Sequence, residues 1–166
     1  MSDDKQATAG KLEVSARGDL EIVGVRVFDA PRELVYRAFT EPDLVTRWWG
    51  LRDGTTIIDK FDPRPGGAWR IIGRDKDGNE DAFRGEFREL TPPERVAQTF
   101  EWEGLPGHVS VETLTLEDLD GRTKVTSVST FDTTEDRDGM LESGMETGMS
   151  EAYDQLAELL GELGSD

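Results

Sequence analysis

Near the end of the chain, apolar residues return at helical spacing. Leu141, Met145, Met149, Ala152, Tyr153, Leu156 and Leu160 share one face of a helix drawn from about Asp138 to Leu160. Glu142, Glu146, Glu151, Asp154, Gln155 and Glu158 take the opposite face. A helix of that length spans roughly 35 Å at about 1.5 Å per residue, about the width of one domain. Upstream the period falls to two, which predicts strands at Leu20–Phe28, Thr55–Phe61, Ala68–Gly73, Asp81–Leu90, Arg95–Glu103, His108–Leu119 and Arg122–Phe131. Asp77-Gly78, Thr91-Pro92-Pro93-Glu94 and Asp120-Gly121 mark turns between them.

Between the first and second strands the pattern is helical again. Pro31 opens a short helix with the stripe Leu34, Val35, Ala38 and Phe39. Thr40 is placed to cap a second, with Leu44, Val45, Trp48 and Trp49 on one side and Gly50 at its end. Consecutive strands joined by short turns imply an antiparallel sheet. The fold class is therefore α+β: a curved sheet of about six or seven strands around a long C-terminal helix, plus two short helices. Residues 1–18 are small and polar and read as a disordered tail, and 19–163 as a single domain.

Charge narrows the partners. With 36 acidic against 19 basic residues, the net charge is -17. Such a surface argues against nucleic acid, whose phosphates need basic groups, and against an anionic membrane surface. Self-repulsion in the service of solubility is the simple reading, and salt adaptation stays open. No cysteine is present, which removes disulfides, thiolate nucleophiles and Cys-ligated zinc. No apolar run is long enough to span a membrane, and the stretch Met1-Ser2-Asp3-Asp4 does not open a signal peptide. The expected compartment is the cytoplasm.

The stretch Val27-Phe28-Asp29-Ala30-Pro31-Arg32-Glu33-Leu34-Val35-Tyr36 resembles the opening of the START-like, or helix-grip, superfamily. Phe39-Thr40-Glu41-Pro42, Arg47-Trp48-Trp49-Gly50, Arg64-Pro65-Gly66-Gly67, Thr91-Pro92-Pro93-Glu94-Arg95, Phe100-Glu101-Trp102, Pro106-Gly107-His108 and Asp136-Arg137-Asp138-Gly139-Met140 follow in the order of one branch. That branch is the bacterial group related to the C-terminal domain of the activator of the 90-kDa heat-shock protein ATPase. The resemblance covers roughly residues 20 to 161. It implies a sheet gripping the C-terminal helix over an apolar cavity. Superfamily relatives bind lipids, sterols or polyketides, and some are cyclases. No universal catalytic motif comes with the resemblance, and the further N-terminal domain of the eukaryotic co-chaperone has no room here.

Candidate ligand-binding residues follow from the aromatic strands and the helix stripe: Trp48, Trp49, Trp69, Phe83, Phe87, Phe100, Trp102, Leu141, Met145, Met149 and Tyr153. Each has a plain alternative as core. Gly144 and Gly148, among methionines, either leave space in the helix, pack it closely against the short helices, or delay its start. Arg70, Arg74, Arg84, Glu86, Arg88, Glu101 and Glu112 read first as a solvated outer sheet face and second as a source of a cavity ion pair. His108, the only histidine, reads as a turn residue. Ser127 and Ser129 have no histidine nearby in sequence, and no phosphate loop or nucleophile elbow exists. No catalytic residue, metal site or cofactor is assigned. The leading expectation is non-catalytic binding of a small apolar or aromatic molecule. The alternatives are a protein-interaction module with a protein partner, and a cyclase or hydrolase acting in the cavity through His108 or a buried Glu.

Overall fold

A computed structural model describes residues 10–164. Its elements are β1 (Glu13–Arg17), β2 (Glu21–Phe28), α1 (Arg32–Thr40), α2 (Pro42–Trp48), β3 (Thr55–Phe61), β4 (Ala68–Arg74), β5 (Glu80–Thr91), β6 (Arg95–Trp102), β7 (Val109–Asp118), β8 (Thr123–Thr130), α3 (Thr134–Glu142) and α4 (Met145–Gly164). The strands form one sheet in the order β1-β2-β8-β7-β6-β5-β4-β3, and each neighbouring pair is antiparallel. The helices cover one face, and the core lies between them and the sheet.

Strand chemistry matches the pattern. In β2 the buried Ile22, Gly24 and Phe28 alternate with the partly exposed Val23 and Val25. The β7–β8 hairpin turns at Asp120 and Gly121, with φ of 57° and 93°, the left-handed pair that a tight hairpin turn needs. Thr123, the first residue of β8 after that turn, donates to the Ala30 carbonyl at 2.7 Å.

The short helices meet at Glu41, which ends α1 and begins α2. Thr40 does not cap α2 as its position suggested. Its hydroxyl donates back to the Tyr36 carbonyl at 2.8 Å, a common use of threonine in a last helical turn. Val35 and Ala38 are fully buried, and the Trp48 indole donates to the Ala38 carbonyl at 2.9 Å, locking α2 onto α1.

Two expectations need correction. The tail was drawn through residue 18, but Glu13–Arg17 is a strand paired along its length with β2. Only Val14 among its five residues packs against the core, so the segment carries almost no hydrophobic signal. Residues 1–9 lie outside the described residues. The sheet accordingly has eight strands, one more than the upper expectation. The second correction concerns the long helix. It is two helices, broken at Ser143-Gly144, where Gly144 takes φ +87°. That left-handed conformation stops a helix, and glycine adopts it at little cost. Leu141 therefore belongs to α3 and does not continue the stripe of α4. Thr133 caps α3 by accepting from the Asp136 amide at 3.0 Å.

Along α4, Ala152, Tyr153, Leu156, Leu159 and Leu160 are buried. Polar ties hold its outer side. Arg52 grips Glu158 with two bonds of 3.0 and 2.7 Å, and Gln155 donates to the Gly50 carbonyl at 2.8 Å.

Candidate functional site

Register fixes which sheet side chains look toward α4. Trp69, Ile71, Phe87, Val96, Leu116 and Val125 are buried in the core, so every second residue along their strands shares that side. One row crosses five strands: Phe87, Gln98, Glu112, Ser129 and Ile22 stand opposite one another in turn. Its middle three members are polar. The adjacent row is Val96, Leu114, Ser127 and Gly24. Above it sits Met149 of α4: a Cβ added to Gly24 would meet the Met149 Cε at 3.2 Å and the Ser127 Oγ at 3.0 Å.

This helix-facing surface is uneven. Val96, Leu116, Val125 and Leu156 are at most 2 % exposed. Phe83, Gln98, Phe100, Glu112, Leu114, Ser127, Ser129, Met145 and Met149 all keep partial exposure although they lie on the same side. The covering is thus complete over the C-terminal half of α4 and incomplete over its N-terminal half. There the helix has just begun, after the break at Gly144.

The open half has an aromatic wall. Phe83 stacks on Phe100 with centroids 5.5 Å apart, Trp49 meets Phe83 at 5.3 Å, and Trp69 lies 6.0 Å from Phe100. Gly85 makes this wall possible. A Cβ there would collide with the Trp69 indole and the Thr99 carbonyl, so close approach explains the mid-strand glycine. The indole nitrogen of Trp69 is buried without a partner among the described residues.

Polar groups face the wall. Gln98 donates its amide to Glu112 at 3.2 Å. Burial pushes the Glu112 carboxyl above its ordinary range, and the Gln98 bond only partly opposes this. Burial likewise raises the Tyr153 phenol; negative charge on Glu112 adds to the effect and Arg26 opposes it. Arg26, inward on β2, bonds Asp154 at 2.7 Å and lies over the Phe28 ring at 5.0 Å. A carboxyl that holds its proton in an apolar site can donate a hydrogen bond, and can also act in proton transfer.

The predicted residues divide by position. Trp49, Trp69, Phe83, Phe100 and Met149 come together around the two rows, with Met145 in the first turn of α4. Tyr153 is buried against Phe28, Phe39 and Trp48 at the edge of that group, where the charge of Glu112 reaches its phenol. Trp48 and Phe87 lie in the closed core, Trp48 against Tyr153 and Phe87 against Phe61. Trp102 stands at the rim, 40 % exposed, its indole donating to Asp81. Leu141 sits on α3. Of the charged strand positions, Arg70, Arg74, Arg84, Glu86, Arg88 and Glu101 face outward in ion pairs, such as Arg70 with Glu103 and Arg84 with Glu101. Arg70, Arg84 and Glu101 border an open charged groove of ≈ 620 Å³. Glu112 alone turns inward.

Sequence reading passed over Arg26 and Gln98. For Arg26 a signal existed: one charge inside the apolar run Ile22 to Phe28. His108 is half exposed and meets Asp136 of α3 at 2.8 Å. Among the described residues no acidic or histidine cluster could hold a metal ion, and no helix is long and apolar enough to cross a membrane.

Solved structures share the architecture. A crystal structure from Rhodobacter sphaeroides is 26% identical with a TM-score of 0.85, covering 91% of this chain and 98% of that one. A solution structure from Arthrobacter aurescens is 28% identical with a TM-score of 0.83, covering 90% and 91%. A crystal structure from Chromobacterium violaceum is 29% identical with a TM-score of 0.76, covering 86% and 98%. No curated protein matches the chain. The family described as Activator of Hsp90 ATPase homolog 1-like protein matches residues 29–161, which take in α1, α2, β3 to β8, α3 and most of α4. The chain belongs to that family.

Proposed function

We propose that the chain binds a small, mostly apolar or aromatic molecule between the open half of the sheet and the first two turns of α4, without chemically changing it. The observation that carries this is the exposure retained by Phe83, Phe100, Gln98, Glu112 and Met149 on a surface that is otherwise closed. Ligand sites are mostly apolar with a few placed polar groups, and this surface has that composition. The test is a thermal-shift screen against fatty acids, sterols, flavonoids and polyketides. A ligand at a hundredfold excess over its Kd stabilises the folded chain by about 2.7 kcal/mol. The expected result is a reproducible rise for at least one class, lost in Met149→Trp, which fills the space. A flat screen with working controls would remove the proposal.

A second reading rests on the surface. Trp102, Leu105, Val109 and Val111 are exposed apolar residues on or next to β6 and β7, the kind of patch that a protein partner covers. A role like that in the family's name predicts a faster ATPase rate when the chain is added to a purified 90-kDa heat-shock protein. An unchanged rate removes this reading.

A further inference from the structure

The inward charges of the cavity are of two kinds. Arg26 is matched: it bonds Asp154 at 2.7 Å and lies over Phe28. It is 4 % exposed, and its Nε is buried without a hydrogen-bond partner among the described residues, so its charge is balanced by Asp154 while one of its donors is left over. Glu112 is unmatched. Among the described residues it is hydrogen-bonded to the neutral amide of Gln98 and forms no ion pair, and burial rather than a neighbouring charge dominates its environment. Ser129 stands opposite it on β8, and Tyr153 approaches from α4. Phe100 is its diagonal neighbour on β6, since Glu112 pairs with Gln98, and such diagonal pairs are within reach of a large side chain. Phe83 and Trp69 extend the same aromatic wall.

We infer that the molecule held here carries a protonated amine on its apolar or aromatic body, and that the amine pairs with the Glu112 carboxylate. The inference rests on the cavity reading and deepens it. An unpaired carboxylate in an apolar site is costly, and a ligand cation removes that cost. Ring faces are negative, so the Phe100–Phe83 wall favours a cation as well as an apolar body. The net charge of -17 concentrates cations near the protein. Carboxylic acids, fatty acids included, are disfavoured by the Glu112 carboxylate and the net charge of -17, since Asp154 already balances the charge of Arg26. The ammonium pairs with the ionised carboxylate, and any proton that Glu112 carried before binding goes to solvent.

The experiment is calorimetric titration with three probes of one skeleton: 4-phenylbutylamine, 4-phenylbutan-1-ol and 4-phenylbutyrate. The amine is expected to bind the unmodified chain at least about tenfold more tightly than the alcohol, which is about 1.4 kcal/mol, and to release protons in buffers of different ionisation enthalpy. Glu112→Gln is expected to erase the preference, so that amine and alcohol bind the variant equally. If Glu112→Gln does not fold, the amine-to-alcohol ratio and the proton release on the unmodified chain decide. Equal binding of amine and alcohol, or tightest binding of the butyrate, overturns the inference and leaves the cavity reading standing. Absence of binding by all three, where the wider screen finds another ligand, also overturns the inference alone. Absence there too overturns both.

Discussion

The two halves of the sheet–helix interface are built from the same strands and differ in what lies above them. Over the C-terminal half of α4, Leu156 and Leu160 press on Val96, Leu116 and Val125, and α1 adds Val35. None of these six residues is more than 2 % exposed. Over the N-terminal half, methionines replace leucines, glycines stand at 144 and 148, and the sheet answers with Gln98, Glu112, Ser127 and Ser129. Stability and accessibility are thus assigned to opposite ends of one helix. A closed half rigid enough to hold the fold lets the open half tolerate polar groups and incomplete packing.

The sharpest way to break this comparison is to remove a large side chain from each half. Leu156→Ala should cost about 2–5 kcal/mol, as for a fully buried leucine that leaves a cavity. Met149→Ala should cost less than about 1 kcal/mol, because its surroundings are already incompletely packed. Urea unfolding of both variants measures the difference, and equal losses would mean that the halves are not distinct. A smaller effect sharpens it. An added Cβ at Gly148 meets nothing within 4 Å. Gly148→Ala should therefore gain about 1 kcal/mol of helix propensity, read as a higher melting midpoint. A loss would show close packing that the geometry does not contain.

The smallest effect concerns pH. Burial raises the Glu112 carboxyl in the folded state, so the folded chain holds that proton more tightly than the unfolded chain. Stability from this group is complete below the ordinary carboxyl range. It declines as pH rises from there through the raised folded value. Glu112→Gln lacks the decline. Its melting midpoint relative to the unmodified chain should therefore rise between pH 4 and pH 8; a constant difference would show that Glu112 titrates normally.

The closed half was largely readable from the sequence, because alternation and the Leu156/Leu160 stripe speak of burial alone. Strands β3 to β8 fall within one or two residues of expectation. The open half was not readable, for reasons that particular residues show. In β7 the apolar residues change sides between Val111 and Leu114, so alternation permits Glu112 on either face. Packing settled it: Leu114 and Leu116 went inward, and Val109 and Val111 were left 38% exposed. For Gly144 and Gly148 the sequence left three readings open: space, close packing or a later helix start. The positive φ of Gly144, which composition does not reveal, makes the long helix begin at Met145. The mid-strand Gly85 makes room for the indole of Trp69, its register partner on the neighbouring strand β4, a need that only the strand pairing reveals.

The sheet is open, and an open sheet has two edges. At one edge β3 carries a bulge between Ile58 and Lys60, with Asp59 and Lys60 exposed. At the other, β1 is five residues long, mostly exposed, and bears Glu13 and Arg17. Short, bulged and charged edges resist joining to another chain's strand. Behind β1 lies β2, eight residues with Ile22, Val23, Val25 and Val27 in near-continuous sequence, the composition of an aggregating edge. The weakest strand in the fold is therefore what keeps its most self-associating one from meeting another molecule.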